Sequence, residues 1–295
     1  VNKDLSSGVT FYGMFRDRES FDANDDGFSE LVRMENNTLG AKAFFKPGDR
    51  SKISVDFSAI DEYRRGGDRL DLVPHFTDIT EELDHSTVIA GITYDQWSRS
   101  QRTKFSTYLS AQNTNRKSYY GGLGGGRTKE DSLSALNAYG NTEDLSLVSG
   151  IQMTHYFSSG NTLTMGMENQ LSDVLDDIPG YDRKVDQRVN SLGFYSQFEW
   201  NPTERFTALL GARYDLTSVD GTYQLGELKR NSDVNLGVVS PRITLMYDIT
   251  PTLQLRGGYA RGFRAPQAFN EDLHISSVGG EPQFVILSDD LDKEL

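Results

Sequence analysis

The strongest constraint in this chain is the rhythm of its connections. Stretches in which apolar and polar residues alternate are joined in turn by very short segments, 46–51, 98–100, 158–161, 201–204 and 250–251, and by very long ones. The long segments run over 18–36, 64–83, 114–144, 173–187, 220–233 and from Arg264 onward, and are rich in Gly, Asp, Asn, Arg and Tyr. No two short connections are consecutive. One end of the sheet therefore carries tight turns and the other carries the loops, an asymmetry expected of a membrane β-barrel.

The faces of the strands agree. From Phe206 to Thr217 one face reads Phe206, Ala208, Leu210, Ala212, Tyr214, Leu216, and the other Thr207, Leu209, Gly211, Arg213, Asp215, Thr217. Side chains of a strand alternate sides, so an apolar face opposite a charged and polar one separates an oily medium from a wet one. Leu145, Leu147, Ile151, Met153 and Phe157 form another such face; so do Leu163, Met165, Met167 and Leu171, and Ile243, Leu245, Tyr247 and Ile249. The pattern predicts about eleven strands, many longer than the roughly 9 to 11 residues that cross a bilayer at a tilt. A soluble antiparallel sandwich also alternates, but its strands usually run to about 5 or 6 residues. Aromatics gather near the short turns, at Tyr94, Trp97, Tyr156, Phe157, Trp200, Phe206 and Tyr247, as in an interfacial girdle.

Composition excludes several classes. No apolar run approaches the length of a membrane-spanning helix, which leaves strands as the route across a bilayer. The 43 acidic and 30 basic residues give a net charge of -13, so no basic stripe is available to neutralise nucleic-acid phosphates. There are no cysteines, hence no disulfide framework or thiolate metal site.

The segment from Ser240 to Glu281 carries a resemblance. Ser240, Pro241 and Arg242 lead a strand ending at Tyr247, Asp248, Ile249, Thr250 and Pro251, and the next strand runs from Leu253 to Tyr259 into Gly262, Phe263, Arg264, Ala265 and Pro266. This resembles the mid-barrel hairpin of TonB-dependent outer-membrane receptors, and Phe269 to Ile275 looks like receptors of Bacteroides-type bacteria. The resemblance implies an all-β fold: an antiparallel meander forming part of a transmembrane barrel of about 22 strands, the size class with a plugged lumen. It implies outer-membrane lipid as surroundings, a large scarce ligand such as an iron-siderophore complex or cobalamin, and TonB as energy-coupling partner acting through a plug domain. The chain begins at Val1 without an initiator Met and stops inside a long loop, so residues 1–295 are expected to be one partial barrel domain, with plug and C-terminal strands outside it. Inward charges such as Glu168, Arg213, Asp215 and Arg242 suit a wall that holds a plug, or pair along the wall itself.

The loops offer local signals. Asp22, Asn24, Asp26 and Gly27 match the opening of a calcium loop, although the twelfth position is Arg33 where a bidentate Glu is required. Ca²⁺ there is the one cofactor the sequence suggests. Gly121 to Arg127 brushes against a phosphate-binding loop, with Arg127 where Lys is needed and no convincing helix after it. Its neighbours Arg116, Lys117, Tyr119 and Tyr120 are candidates for ligand contact from a loop, since tyrosines supply area and a hydrogen bond while cations attract acidic groups. In haem receptors of this kind a His follows the Phe-Arg-Ala-Pro segment as an iron ligand; His274 occupies such a place here, although the Asn-Pro-Asp-Leu segment expected after it is degraded to Ser288 to Leu291. Haem is therefore an alternative ligand. An outer-membrane barrel enzyme and a soluble adhesion or binding protein stay open as further classes, with no nucleophile and base pattern supporting the enzyme.

Overall fold

The computed structural model describes residues 1–2, 4–265, 276–278 and 281–283. Eleven strands form one antiparallel sheet in chain order: β1 (Ser7–Arg18), β2 (Arg33–Gly48), β3 (Ser51–Gly67), β4 (Thr80–Trp97), β5 (Thr103–Gly121), β6 (Tyr139–Tyr156), β7 (Thr162–Ile178), β8 (Arg183–Thr203), β9 (Phe206–Leu225), β10 (Leu228–Thr250) and β11 (Leu253–Ala260). Every neighbour in sequence is a neighbour in space, so the expected meander is observed. A short hairpin, β12 (Ser276–Val278) and β13 (Glu281–Gln283), follows.

The sheet is curved, with its apolar face convex. Along β4 the residues Val88, Ile92 and Tyr94 are exposed, whereas Thr87, Ile89 and Thr93 between them are partly covered. Curvature splays side chains on the outside and crowds those on the inside. One outward row, traced by register, reads Phe45, Ile53, Tyr94, Thr107, Ile151, Met167, Phe194, Tyr214, Val239. Apolar and aromatic side chains on a convex, uncovered face require a nonpolar surrounding. The strand rhythm shifts only at the tight turns, where irregularities fall at Phe45/Gly48, Trp200/Thr203 and Asp248/Thr250. Pro241 lies inside β10 because β11 stops beside it: the Pro241 carbonyl accepts from Arg261 N at 3.0 Å, and the ring nitrogen has no hydrogen to give further.

The loop end differs from expectation. The segments 173–187 and 220–233 are mostly strand: β7 and β8 are joined by residues 179–182 and β9 and β10 by 226–227. The apolar outward face ends where the wall leaves the nonpolar layer, while backbone pairing continues in tall hairpins that are mostly polar outside and bury Ile178, Val185, Val189 and Val219 on the inward face. The segment 114–144 shrinks to a connection over 122–138, and this connection contains a helix, α1 (Lys129–Leu136), where the sequence suggested none. Thr128 caps it, accepting from Asp131 N at 3.2 Å while the Asp131 carboxylate accepts from Thr128 N at 2.7 Å.

Candidate functional site: the concave upper wall

Arg116, Tyr119 and Tyr120 are strand residues of β5, which corrects their assignment to a loop. The ladder separates them. Arg116 and Tyr120 share the concave face, and Tyr119 shares the convex face, where its hydroxyl donates to the Ala135 carbonyl of α1 at 3.0 Å. Tyr120 packs with Leu83, Ile178 and Tyr181; burial pushes its phenol up to about 12.

Arg116 belongs to a row that crosses the sheet. Register places Asn36, Glu62, His85, Arg116, Thr142 and Asp176 side by side on six strands. Arg116, 9% exposed, donates through Nε and Nη2 to Thr142 Oγ1 at 3.1 and 2.9 Å. Thr142 donates to Asp176 Oδ1 at 2.5 Å, and Arg183 pairs with the other carboxylate oxygen. Asp176 is 1% exposed and lies between two guanidinium groups, since Arg116 Nη2 stands 3.6 Å from it. Burial, then the neighbouring Arg116 cation, hold His85 below its ordinary value, so it is neutral at pH 7. Two guanidinium groups share this one buried carboxylate, and Glu62 stands further along the same row, so the row is a charge-paired cluster on the concave face.

Nearer the turns, the same face holds a cavity of about 640 Å³ lined by Ser146, Gln170, Ser172, Ser191, Thr217 and Ser240, by Leu147, Val148, Leu171 and Val189, and by Arg213 and Asp215. Gly262, Phe263, Arg264 and Ala265 close one side of it. The motif segment thus leaves β11 and turns back into the concavity. Arg213 is shared by Glu168 at 3.2 Å and Asp215 at 2.7 Å, and Tyr108 donates to Glu168 at 2.7 Å, so these wall charges pair along the wall. Pro266 and His274 lie outside the described residues, as does the haem signal that rests on His274.

Arg127 stays in its loop, where it forms a bidentate pair with Asp78 at 2.6 and 3.0 Å. The hydrogen bond from Arg127 holds the Asp78 carboxyl below its ordinary value. This contact pins the β5–β6 connection to the β3–β4 connection. In the β1–β2 loop, oxygens of Asp22, Asp26 and Glu30 lie within 4.8 Å of one another. Asn24 is aimed elsewhere: its amide nitrogen donates to Asp26 Oδ2 at 3.0 Å and its carbonyl accepts from Asp26 N. The sequence reading missed Glu30, which stands at the ninth loop position, a place that contributes to calcium loops. It also missed Thr142, Asp176 and Arg183, because their partnership is a matter of register.

The family described as TonB dependent receptor-like, beta-barrel matches residues 11–289. No curated protein matches the sequence. Among solved structures, the chain is similar to the ferric-catecholate import receptor Fiu from Escherichia coli K12 in its closed form, with TM-score 0.68 and 10% identity over 92% of this chain and 48% of that one. It is similar to the siderophore receptor PiuA from Acinetobacter baumannii, with TM-score 0.67 and 9% identity over 88% and 46%. The ferric yersiniabactin uptake receptor FyuA from Yersinia pestis gives TM-score 0.59 and 14% identity over 88% and 42%. The chain spans about half the length of these receptors. The convex apolar surface is accordingly the lipid face of an outer-membrane barrel, and the soluble and enzymatic readings fall away. With its meander, its polar concave wall and this match over most of its length, the chain belongs to the TonB-dependent receptor β-barrel family.

Proposed function

We propose that this chain forms the ligand-capturing wall of an outer-membrane receptor that takes up a metal chelate, with an iron-siderophore complex as first candidate and TonB as the source of energy. The observation that carries this reading is the concave upper wall. There a cavity of about 640 Å³, lined by serine and threonine hydroxyls and by aliphatic side chains, stands below a row in which Arg116 and Arg183 flank Asp176. Hydroxyl, amide and guanidinium groups bind oxygen-rich, anionic chelates by charge-assisted hydrogen bonds. The solved receptors of the same fold for ferric catecholates and ferric yersiniabactin support the ligand class. Cobalamin and haem are the competing cargoes. The test is growth of a deletion strain carrying the intact gene, on medium in which iron comes only as ferric catecholate, as ferric hydroxamate or as haem, with cobalamin limitation as a separate arm. Restoration on a ferric chelate supports the proposal; restoration only on haem or cobalamin overturns it. Arg116→Ala, on the wall but distant from the lipid face, is expected to reduce uptake of the restoring chelate at least tenfold while leaving receptor abundance in the membrane close to normal.

A second proposal concerns the β1–β2 loop. Asp22, Asp26 and Glu30 supply three carboxylates to one point, the donor type that Ca²⁺ selects. Calcium titration of the full receptor is expected to protect the loop from proteolysis in the millimolar range. Asp26→Asn should remove the protection, and a calcium-independent cleavage rate would reject this reading.

A further inference from the structure

The lipid face carries a recess. A cavity of about 810 Å³ is lined for the most part by outward residues of β4 to β10, taken from the row that contains Ile151 and Phe194 and from the row next below it. Its floor is low because Thr107, Ser196 and Ala212 are small where their neighbours Phe105, Phe194 and Tyr214 are large. Between these rings lie Met153, Met165 and Met167, side chains flexible enough to follow the contour of what lies on them. Strands are about 4.8 Å apart, so seven of them give a groove about 29 Å long. The groove climbs. Tyr94 at one end lies three residues above the β4 terminus at Trp97, and Val239 at the other lies eleven residues above the β10 terminus at Thr250. An apolar recess stays dry, and the medium around it is lipid hydrocarbon, so an acyl chain is what fills it.

The lower end of the groove is polar and fixed. The Tyr94 hydroxyl donates to Gln96 Oε1 at 2.7 Å, and Gln96 Nε2 donates to the carbonyls of Arg50 and Trp97 at 3.0 Å each. Trp97 N in turn donates to the Arg50 carbonyl at 2.8 Å, which sets the turn at 49–50 against the turn at 98–102. These two turns carry Arg50, Arg99 and Arg102, with Asp49 as their one carboxylate. Among the described residues, none of the three arginines is held in a salt bridge. In a chain of net charge -13, this is a local surplus of cations. Short turns of such a barrel face the periplasm, at headgroup level, where arginines attract anionic lipids. Cations at the foot, a hydroxyl and amide ledge above them and a hydrocarbon channel beyond reproduce the order of groups along one phospholipid: phosphate, ester, chain.

We propose that this groove seats one anionic phospholipid of the periplasmic leaflet, its phosphate at Arg50, Arg99 and Arg102 and one acyl chain along Met153, Met165 and Met167. The full-length receptor is reconstituted in phosphatidylcholine vesicles with a trace of photoactivatable lipid, either phosphatidylglycerol or phosphatidylcholine, bearing a diazirine midway along one acyl chain. After illumination the labelled peptides are sequenced. With the phosphatidylglycerol probe, labelling of the three methionines is expected to exceed at least tenfold that of Leu245 and Leu255, which are exposed on the same face outside the groove. It is expected to exceed labelling by the phosphatidylcholine probe by a similar factor. Ala212→Phe, which fills the floor with a side chain that lipid tolerates, is expected to bring the methionines down to the level of Leu245. The triple variant Arg50→Gln, Arg99→Gln, Arg102→Gln, confined to the turns, is expected to abolish the preference for phosphatidylglycerol. Uniform labelling over the convex face, equal labelling by the two probes, or labelling unchanged in either variant would overturn the proposal. Loss of the preference in inorganic phosphate, but not in sodium chloride of equal ionic strength, would make the arginines a site for free phosphate and overturn it as well. No uptake is measured, so an error in the cargo assignment leaves the result standing.

Discussion

The lower and upper halves of the same strands are held by different forces. Near the tight turns each strand has an oily side and a wet side, and the surrounding medium fixes which is which; a slip of one residue would reverse every side chain. Above the apolar band the outer side turns mostly polar, and the inner side mixes buried apolar residues such as Tyr120, Ile178 and Val185 with paired charges. There the register is marked by individual partnerships, such as Thr142 with Asp176 and Arg188 with Asp173 at 2.9 Å. The upper half itself divides again. The β5–β6 connection folds down onto the sheet through α1 and the Arg127 clamp, and the β7–β8 turn joins it through Tyr181, whose hydroxyl donates to the Ser134 carbonyl at 3.4 Å, whereas the β9–β10 hairpin closes over residues 226–227. A wall of uniform backbone thus changes its source of specificity with height, from solvent partition below to discrete polar contacts above.

The sharpest way to break that contrast is at Asp176. Replacing a carboxylate buried between two arginines leaves cations without their counter-charge, at a cost of about 3–5 kcal/mol. Asp176→Ala is expected to raise the proteolytic susceptibility of the β7–β8 hairpin and to lower the urea midpoint of the membrane-embedded receptor. Unchanged values would show that the row is ornamental. Next in size is a charge placed on the convex face. Ile151→Arg, within the apolar band of β6, is expected to cost about 2–4 kcal/mol, and Asn141→Arg, ten residues higher on the same face, about 0–1 kcal/mol. Equal costs measured by urea unfolding in lipid vesicles would remove the distinction between the halves. The smallest effect belongs to the exposed clamp. Arg127→Ala is expected to shift stability by less than about 1 kcal/mol, yet to speed cleavage within 122–138 severalfold. Because the Asp78 carboxyl is held below its ordinary value of 3.8, the clamp should be complete above that pH and loosen as pH falls below it; loosening that began near pH 6 would point to another group.

The lower half was legible in the sequence because the medium writes itself into period-two alternation. Strands such as β9 and β10 could be traced from Phe206 or Ile243 upward until the apolar face stopped. Their upper ends were not legible. Asp220 opposite Asp233 and Asp173 opposite Arg188 read as loop chemistry, yet pair as strands, since backbone hydrogen bonds carry no side-chain signature. The Arg116–Thr142–Asp176 row was hidden for a related reason: its members are 26 and 34 residues apart, and only the register of the intervening hairpins brings them together. The metal-binding candidate was half visible, with Asp22 and Asp26 readable from spacing and Glu30 placed by the fold of the loop.

The height of β10 has a practical consequence. Its 23 residues span about 76 Å along the strand; at a tilt of about 45° they rise about 54 Å, of which the apolar band of the membrane takes about 25 Å. The crest of the β9–β10 ribbon then stands clear of the lipid headgroups, among the polymers that coat a cell, so passing solutes meet this periscope before they meet the mouth of the pore.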